Sequence, residues 1–356
     1  MVNLIISSVA TTLNLQRCCP HCGRNNGNIH SAIRRRRISD TKINYVAQRR
    51  MRCPHCQTTW TIRAQGVSDG RHRSDRLISL GVVLYMFGLS CRSVAKFLSL
   101  LDCLVSKSSI ERDICDAGQK ARELHFSAPA MKVRVLGVDG TGARMAGKRR
   151  SGMLFFADVE KSKLICVEPV KETDSKRLRE HVLRVLTQVG AQQLMTDELS
   201  VYDNIVDEDN HKICLAHWRK SKIKRASEMY RQAKTEQLEY AASDMQDLME
   251  LLRQDSMPQK IPEGIKKLVR RYSDCRKGVL GKINQLMQHI ERTWDKVGGD
   301  FGVRTNNATE RIIGLDYKIR TKTMRGFKNL QKALNHCYLS EYLRGENGIC
   351  DLRKVV

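Results

Sequence analysis

Cys19-Pro20-His21-Cys22 and Cys53-Pro54-His55-Cys56 are two copies of one four-residue word. A Cys-x-x-Cys pair lets two thiolates grip one side of a metal ion, and a second pair completes a tetrahedral set, the pattern of a structural zinc site. Thirty residues separate Cys22 from Cys53, more than the ~15–20 of a compact zinc ribbon. The insert holds Arg34-Arg35-Arg36-Arg37 and an alternating run from Ile43 to Met51, so strands of its own are expected there. The four arginines suit phosphate contacts. A different chemistry is offered by Asp139 in Val133–Met145, VRVLGVDGTGARM. The stretch is apolar on both sides of its alternation, as a strand covered on both faces requires. Gly-Thr-Gly is expected to end that strand just after Asp139. A carboxylate held rigidly at a strand end is well placed as a metal ligand or a base, although acidic residues also close strands as turn formers.

The elements that must position these groups read in order. The chain has 356 residues, a formal net charge of +25 and thirteen cysteines. Basic residues are spread along most of the chain, which points to a folded protein meeting a polyanion, above all nucleic acid. An odd cysteine count favours thiols and metal sites over a disulfide framework. No positively charged start precedes the short apolar run near the N-terminus, and no stretch approaches the roughly 20 apolar residues of a membrane span. An intracellular protein with no membrane partner is expected.

From Ser74 to about Glu123 the period is helical. One helix carries Leu77, Leu80 and Leu84 and ends at Gly88; Ser90 opens a second, and Ser106 a third with Arg112 near its start. Three short helices with a tight connection between the last two resemble a helix-turn-helix, though any small helical bundle has the same period. Further strands are expected at 151–160 and 164–170, a helix at 174–189, a strand at 193–196 running into Asp197, and a strand at 212–216 carrying Cys214 toward His217. That order is the order of a ribonuclease-H-like fold, in which the first and fourth strands are neighbours and would bring Asp139 and Asp197 together. An all-helical insertion follows, from Arg219 to Gly298, broken at 257–263. A helix opening at Thr305-Asn306-Asn307 then carries Glu310 and leads into Arg320, Lys322, Arg325 and Lys328.

With these words in order, the chain resembles a DDE transposase of insertion sequences, closest to the Mutator-like kind. The resemblance is carried by Asp139 in GVDGT, Asp197 in MTDELSVYD, the Cys214-Leu215-Ala216-His217 word and Glu310 in TNNATERIIG, across roughly residues 130–340. It implies that Asp139, Asp197 and Glu310 are the catalytic carboxylates and hold Mg²⁺ (or Mn²⁺); that Cys19, Cys22, Cys53 and Cys56 hold Zn²⁺ is expected from the repeated word itself. Three carboxylates suit that role physically, since magnesium prefers hard oxygen ligands and two such ions can serve both the attacking and the leaving oxygen. Asp203 and Asp316 are rivals for the second and third carboxylates, and Glu310 could instead close a capping box with the residues before it. Cys214 and His217 would support the active site or contact DNA.

The expected layout is α/β: a zinc ribbon (1–70), a helix-turn-helix (71–128), a ribonuclease-H-like core (129–218) interrupted by a helical insertion (219–298) and resumed by a C-terminal helix (299–345), then a tail (346–356). Arg34, Arg35, Arg36, Arg37, Arg112, Arg320, Lys322 and Arg325 are the expected DNA contacts. The expected function is binding of terminal inverted repeats with metal-dependent DNA cleavage and strand transfer, in a homodimer or higher oligomer on double-stranded DNA. A nucleoid-associated cytoplasmic location in a bacterium or archaeon would follow. The alternatives are a nuclease or resolvase of the same fold, or a DNA-binding regulator whose catalytic fold has decayed.

Overall fold

The computed structural model describes residues 2–14, 17–129, 131–145, 148–254, 260–297, 303–323, 326–345 and 348–356, with the side chains of 143–144, 148–151, 316 and 323 outside that description. Arg325, the side chains of Lys148, Arg149, Arg150 and Asp316, and part of the expected break at 257–263 therefore lie outside the described residues. Two compact units are formed. One comprises 1–129, 145–147 and 316–356, and the other comprises 130–144 and 148–315.

The first unit begins with β1 (Asn3–Ile5), β2 (Asn28–Ile29), β3 (Arg34–Arg37), β4 (Tyr45–Arg52) and β5 (Thr59–Arg63). β4 is the centre of an antiparallel sheet with β2, β3 and β5 around it. The insert between the cysteine words does form strands, and Val46, Met51 and Ile62 are buried in them or in the strand that follows. Three helices follow: α1 (Asp75–Met86), α2 (Cys91–Ser99) and α3 (Lys107–Ser127). Ser74, Ser90 and Ser106 each accept a backbone N–H with their side chain, which satisfies one orphan donor at each start. Gly88, at φ +100°, makes the turn between α1 and α2. Two buried aspartates brace this part. Asp40 takes Ser74 and Arg76, and Asp113 takes Arg71 and Arg73.

The second unit is built on a five-stranded sheet of β6 (Val135–Met145), β7 (Lys148–Asp158), β8 (Lys163–Glu168), β9 (Gln193–Thr196) and β10 (His211–Ile213), in the order β10-β9-β6-β7-β8. β9 is parallel to β6, with Val135 opposite Gln193, and β10 is parallel to β9. β7 and β8 are antiparallel. β6 is covered on both faces: Leu136 and Val138 join Leu154, Phe156, Leu178 and Val182, whereas Val135 joins Val159, Met195 and Ala308. Gly-Thr-Gly does not end the strand, which runs on past Asp139 to Met145; glycine permits a turn without imposing one. α4 (Ser175–Val189) packs on one face, capped by Asp174 and closed by Gly190 at φ +62°.

The strand expected at 212–216 stops at Ile213. Cys214 is the N-cap of α5 (Leu215–Thr235), so His217 lies in a helix. α6 (Glu239–Arg253), α7 (Glu263–Tyr272) and α8 (Gly278–Thr293) complete the insertion, with a core including Trp218, Met245, Ile283, Met287 and Trp294. α9 (Asn307–Ile312) carries Glu310, and a π-helical stretch, Ile313–Lys318, follows it.

The first unit resumes with α10 (Ile319–Thr323), α11 (Leu330–Leu343) and β11 (Ile349–Asp351). Residues from Asp316 onward, expected with the catalytic part, group instead with the N-terminal segments. The expected tail is structured. β11 pairs in parallel with β1, and Leu339, Cys350, Leu352 and Val355 share a core with Leu77, Val82, Ile110 and Ala117. α11 lies so close to α3 that a Cβ on Gly118 would meet Asn335 at 2.8 Å.

Candidate functional site

The four cysteines of the repeated word converge. Cys19 Sγ lies 3.6 Å from Cys56 Sγ, Cys22 Sγ lies 3.6 Å from Cys53 Sγ, and all four sulfurs are within 4.8 Å of one another. Sulfurs about 2.3 Å from a tetrahedral zinc are about 3.8 Å apart, so the set fits that ion. Each word folds as the same turn. Gly23 and Gln57 donate their N–H to the carbonyls of Cys19 and Cys53, and both have positive φ, +72° and +60°. Thr58 donates to Cys56 and holds its thiol down to about 5. Of the four arginines, Arg34, Arg35 and Arg37 are exposed on β3. Arg36 is not offered in the same way, since it donates to the Arg71 carbonyl at 2.7 Å.

In the second unit, Asp139 on β6 and Asp197 just past β9 come together with Glu172, their carboxylate oxygens within 4.8 Å of one another. The parallel pairing of β6 with β9 places the two aspartates side by side. Glu172 arrives from the turn after β8 and is fixed by the buried Tyr202, whose hydroxyl donates to its Oε1 at 2.8 Å. Gly140 makes room for it, because a Cβ there would collide with the Glu172 carboxylate. Asp197 Oδ1 accepts the Leu199 N–H at 3.2 Å. Burial pushes its carboxyl above the usual range; the Leu199 amide opposes this and the Glu172 charge adds to it. Three oxygens so close, with one group already resisting ionisation, form a hard-ligand set fitted to a divalent cation.

Glu310 belongs to a second, adjacent group. Its Oε1 is 2.9 Å from His217 Nε2, and a carboxylate oxygen, a ring nitrogen and the Cys214 sulfur all fall within 4.8 Å. Cys214 and His217 are three apart at the start of α5 and so share a helix face. α9 is pinned by Asn306, which donates Nδ2–H to the Val138 carbonyl at 3.0 Å and backbone N–H to Cys214 Sγ at 3.2 Å. Gly137 allows that approach: a Cβ there would strike Asn306 and Thr309. Contact with the Cys214 sulfur, reinforced by the charges of Glu310 and Asp139 against burial, pushes His217 up to about 9. Against its own burial, His217 and the Asn306 amide hold the Cys214 thiol below its usual range. His217 thus feels both carboxylates, one from each group.

The grouping differs from the expected trio. Asp139 and Asp197 meet Glu172, and Glu310 stands across His217 from them. Arg320, expected to contact DNA, is 4% exposed and turned inward; it donates to the carbonyls of Tyr85 and Leu89, at 3.1 Å each, and stacks on the Tyr85 ring. A guanidinium that caps the end of α1 is not free to reach a phosphate. Arg112 and Lys322 are exposed on their helices. No helix among the described residues is long and apolar enough to cross a membrane.

The sequence profile of the Transposase IS66 family matches residues 75–296, more than half of the chain. Asp139, Glu172, Asp197, Cys214 and His217 fall inside the match; the four knuckle cysteines and Glu310 fall outside it. No curated protein matches. The match supports an insertion-sequence transposase and does not carry the Mutator-like kinship of the individual words. By this match the chain belongs to the Transposase IS66 family.

Proposed function

We propose that this transposase cuts DNA at its element's terminal inverted repeats and joins the ends to a target, with Asp139, Asp197 and Glu172 at the reacting phosphodiester and Glu310 beside them. The single observation that carries the reading is the meeting of Asp139 and Asp197 on neighbouring parallel strands, with Glu172 within 4.8 Å. The strand order β10-β9-β6-β7-β8, with a helical insertion after the last strand, supports a ribonuclease-H-like core. Asp139 and Asp197, with Glu172 or Glu310, would hold Mg²⁺ or Mn²⁺, which when bound supplies Lewis-acid activation of both the attacking and the leaving oxygen. The protein's own part is rigidity: β6 and β9 fix the aspartates, Tyr202 fixes Glu172 and Asn306 fixes the helix of Glu310.

In the first unit, the four cysteines would hold Zn²⁺ and lock the basic sheet, whose Arg34, Arg35 and Arg37 face solvent toward DNA phosphates. α2 and α3 are proposed as a helix-turn-helix, with Arg112 on the reading helix and Lys322 as a further phosphate contact. A homodimer or larger assembly is proposed because two ends must be brought together.

The test uses the full chain, pre-cut end DNA, target DNA and Mg²⁺, with joined products as the readout. Asp139→Asn and Asp197→Asn should each abolish cutting and joining while end binding persists. Cutting without joining would replace this reading by a nuclease or resolvase. Specific binding with no cutting by the wild-type chain would leave a DNA-binding regulator.

A further inference from the structure

We infer that Cys214, His217 and Glu310 form a second metal site, selective for a thiophilic divalent cation such as Zn²⁺ and separate from both the four-cysteine site and the all-oxygen group. One ligand atom from each residue falls within a 4.8 Å cluster. Zinc ligands at about 2.0–2.3 Å from the ion are spaced by about 3.2–3.8 Å, so small rotations of His217 and Glu310 close the set.

Each ligand is supported as metal ligands are. Cys214 is fully buried at the N-terminus of α5, and its sulfur accepts the Asn306 N–H at 3.2 Å, a backbone amide aimed at sulfur of the kind that steadies a bound thiolate. Glu310 is brought to the cluster by the same Asn306, which ties α9 to β6 through the Val138 carbonyl. His217 offers two nitrogens: Nε2 reaches Glu310 at 2.9 Å, and Nδ1 is buried with no well-formed hydrogen bond among the described residues. A ring nitrogen left in that state costs free energy that a metal bond would recover. Half-exposed His217 and Glu310 side chains, at 34% and 42%, give an ion a way in and leave a fourth position open.

Selectivity follows from ligand softness. Thiolate and imidazole favour Zn²⁺ and Co²⁺, while the Asp139, Glu172 and Asp197 oxygens favour Mg²⁺ or Mn²⁺. The two groups are close enough that His217 feels the Asp139 charge. An ion on the softer set would hold Glu310 away from the harder one. Occupancy by zinc and by magnesium would then compete for a single glutamate.

The inference is tested by metal stoichiometry on the full chain. Protein stripped of metal, refilled with Zn²⁺ in the presence of millimolar Mg²⁺ and freed of excess should retain two zinc ions per chain. Cys214→Ser and His217→Gln should each retain one, with circular dichroism unchanged. Refilling with Co²⁺ gives a second readout, since thiolate-to-cobalt absorption should fall by about one fifth in Cys214→Ser, from five thiolates to four. Saturation of the wild-type chain at one ion, or a second ion surviving both substitutions, would overturn the site. The result is independent of DNA cutting: a chain that cuts DNA but binds one zinc refutes only this inference, and one that binds two but never cuts refutes only the proposed function.

Discussion

Lys222 of α5 is fully buried, and its ammonium donates to both carboxylate oxygens of Glu198, at 2.6 Å for Oε2, while His289 of α8 approaches Glu198 Oε1 at 2.7 Å. Glu198 directly follows Asp197, so two helices of the insertion hold the residue next to a proposed catalytic carboxylate. Lys222 also lies over the Trp218 ring, 5.8 Å from its centroid, and Trp218 donates to Thr293 at 2.8 Å. The insertion is thereby keyed to the end of β9 through charge as well as through its core.

That pair predicts a large stability effect. Lys222→Met leaves the partly buried Glu198 beside one partner, His289, and removing half of a buried ion pair typically costs about 3 kcal/mol. Urea unfolding should show this loss. Adding Glu198→Gln, which removes the stranded charge, should restore part of it; a double variant no more stable than Lys222→Met would show that the pair is not what matters there.

Zinc removal should act locally. Chelation of the full chain, or Cys53→Ser, should abolish amide protection at Val46 and Met51 in the β2–β5 sheet, because structural zinc sites supply folding free energy outright. The sheet around Leu136 and Leu194 should keep its protection, since its core is an apolar cluster with no cysteine knuckle in it. Hydrogen exchange read residue by residue separates the two outcomes.

The arginines on β3 should not behave alike. Arg35→Ala with Arg37→Ala should weaken binding to every DNA and lower the salt slope by about 2. Arg36→Ala should perturb the fold of the first unit, because its guanidinium is tied to the Arg71 carbonyl. Arg112→Ala should instead reduce discrimination between element ends and random DNA. Equal loss on both DNAs would remove Arg112 from the reading helix.

Glu111 on α3 provides a pH test in the first unit. Lys328 and Lys332 both bond its carboxylate, and together they hold its pKa near 2, below the ordinary 4.5. A folded pKa below the unfolded one contributes stability that is present above pH 4.5 and is lost as pH falls toward 2. Lys328 is largely exposed, so the contribution is screened and should be under about 1 kcal/mol. Glu111→Gln should flatten the acid limb of the stability curve in that window. An unchanged acid limb would mean that the pairing adds nothing.

What was legible in the sequence divides by range of interaction. Ser74, Ser90 and Ser106 announced their helices because capping is decided within four residues. The neighbouring positions of Asp139 and Asp197 followed from element order, since strand-helix-strand connections leave few arrangements. Arg320 was misread because it sits in a basic run, and nothing local tells a guanidinium aimed at carbonyls from one aimed at solvent. The end of β6 was misplaced because Gly-Thr-Gly carries a turn signal that pairing with β7 overrides. Glu172 was missed altogether. It lies in a plain turn, Lys171-Glu172-Thr173, and its one trace in the sequence is Gly140, a glycine needed for close approach and not for a turn.

The identity of the third carboxylate gives the sharpest prediction. Glu172 has a carboxylate oxygen within 4.8 Å of both aspartates, is held by Tyr202 and lies inside the family match; Glu310 reaches toward them only across His217 and lies outside it. If Glu172 completes the set, Glu172→Gln should lower cleavage by more than about 100-fold, the scale on which a charge at the reacting centre acts. Tyr202→Phe should lower it less, with a raised requirement for Mg²⁺, because the carboxylate remains but loses its positioning hydrogen bond. Glu310→Gln should then be milder. The opposite ranking, with Glu310→Gln inactive and Glu172→Gln cutting normally, would mean that His217 releases Glu310 to the aspartates when metal and DNA bind. Cleavage rates measured across a Mg²⁺ titration for these three variants decide between the two, because loss of a ligand lowers the rate at saturating metal while loss of positioning chiefly shifts the metal concentration at half rate.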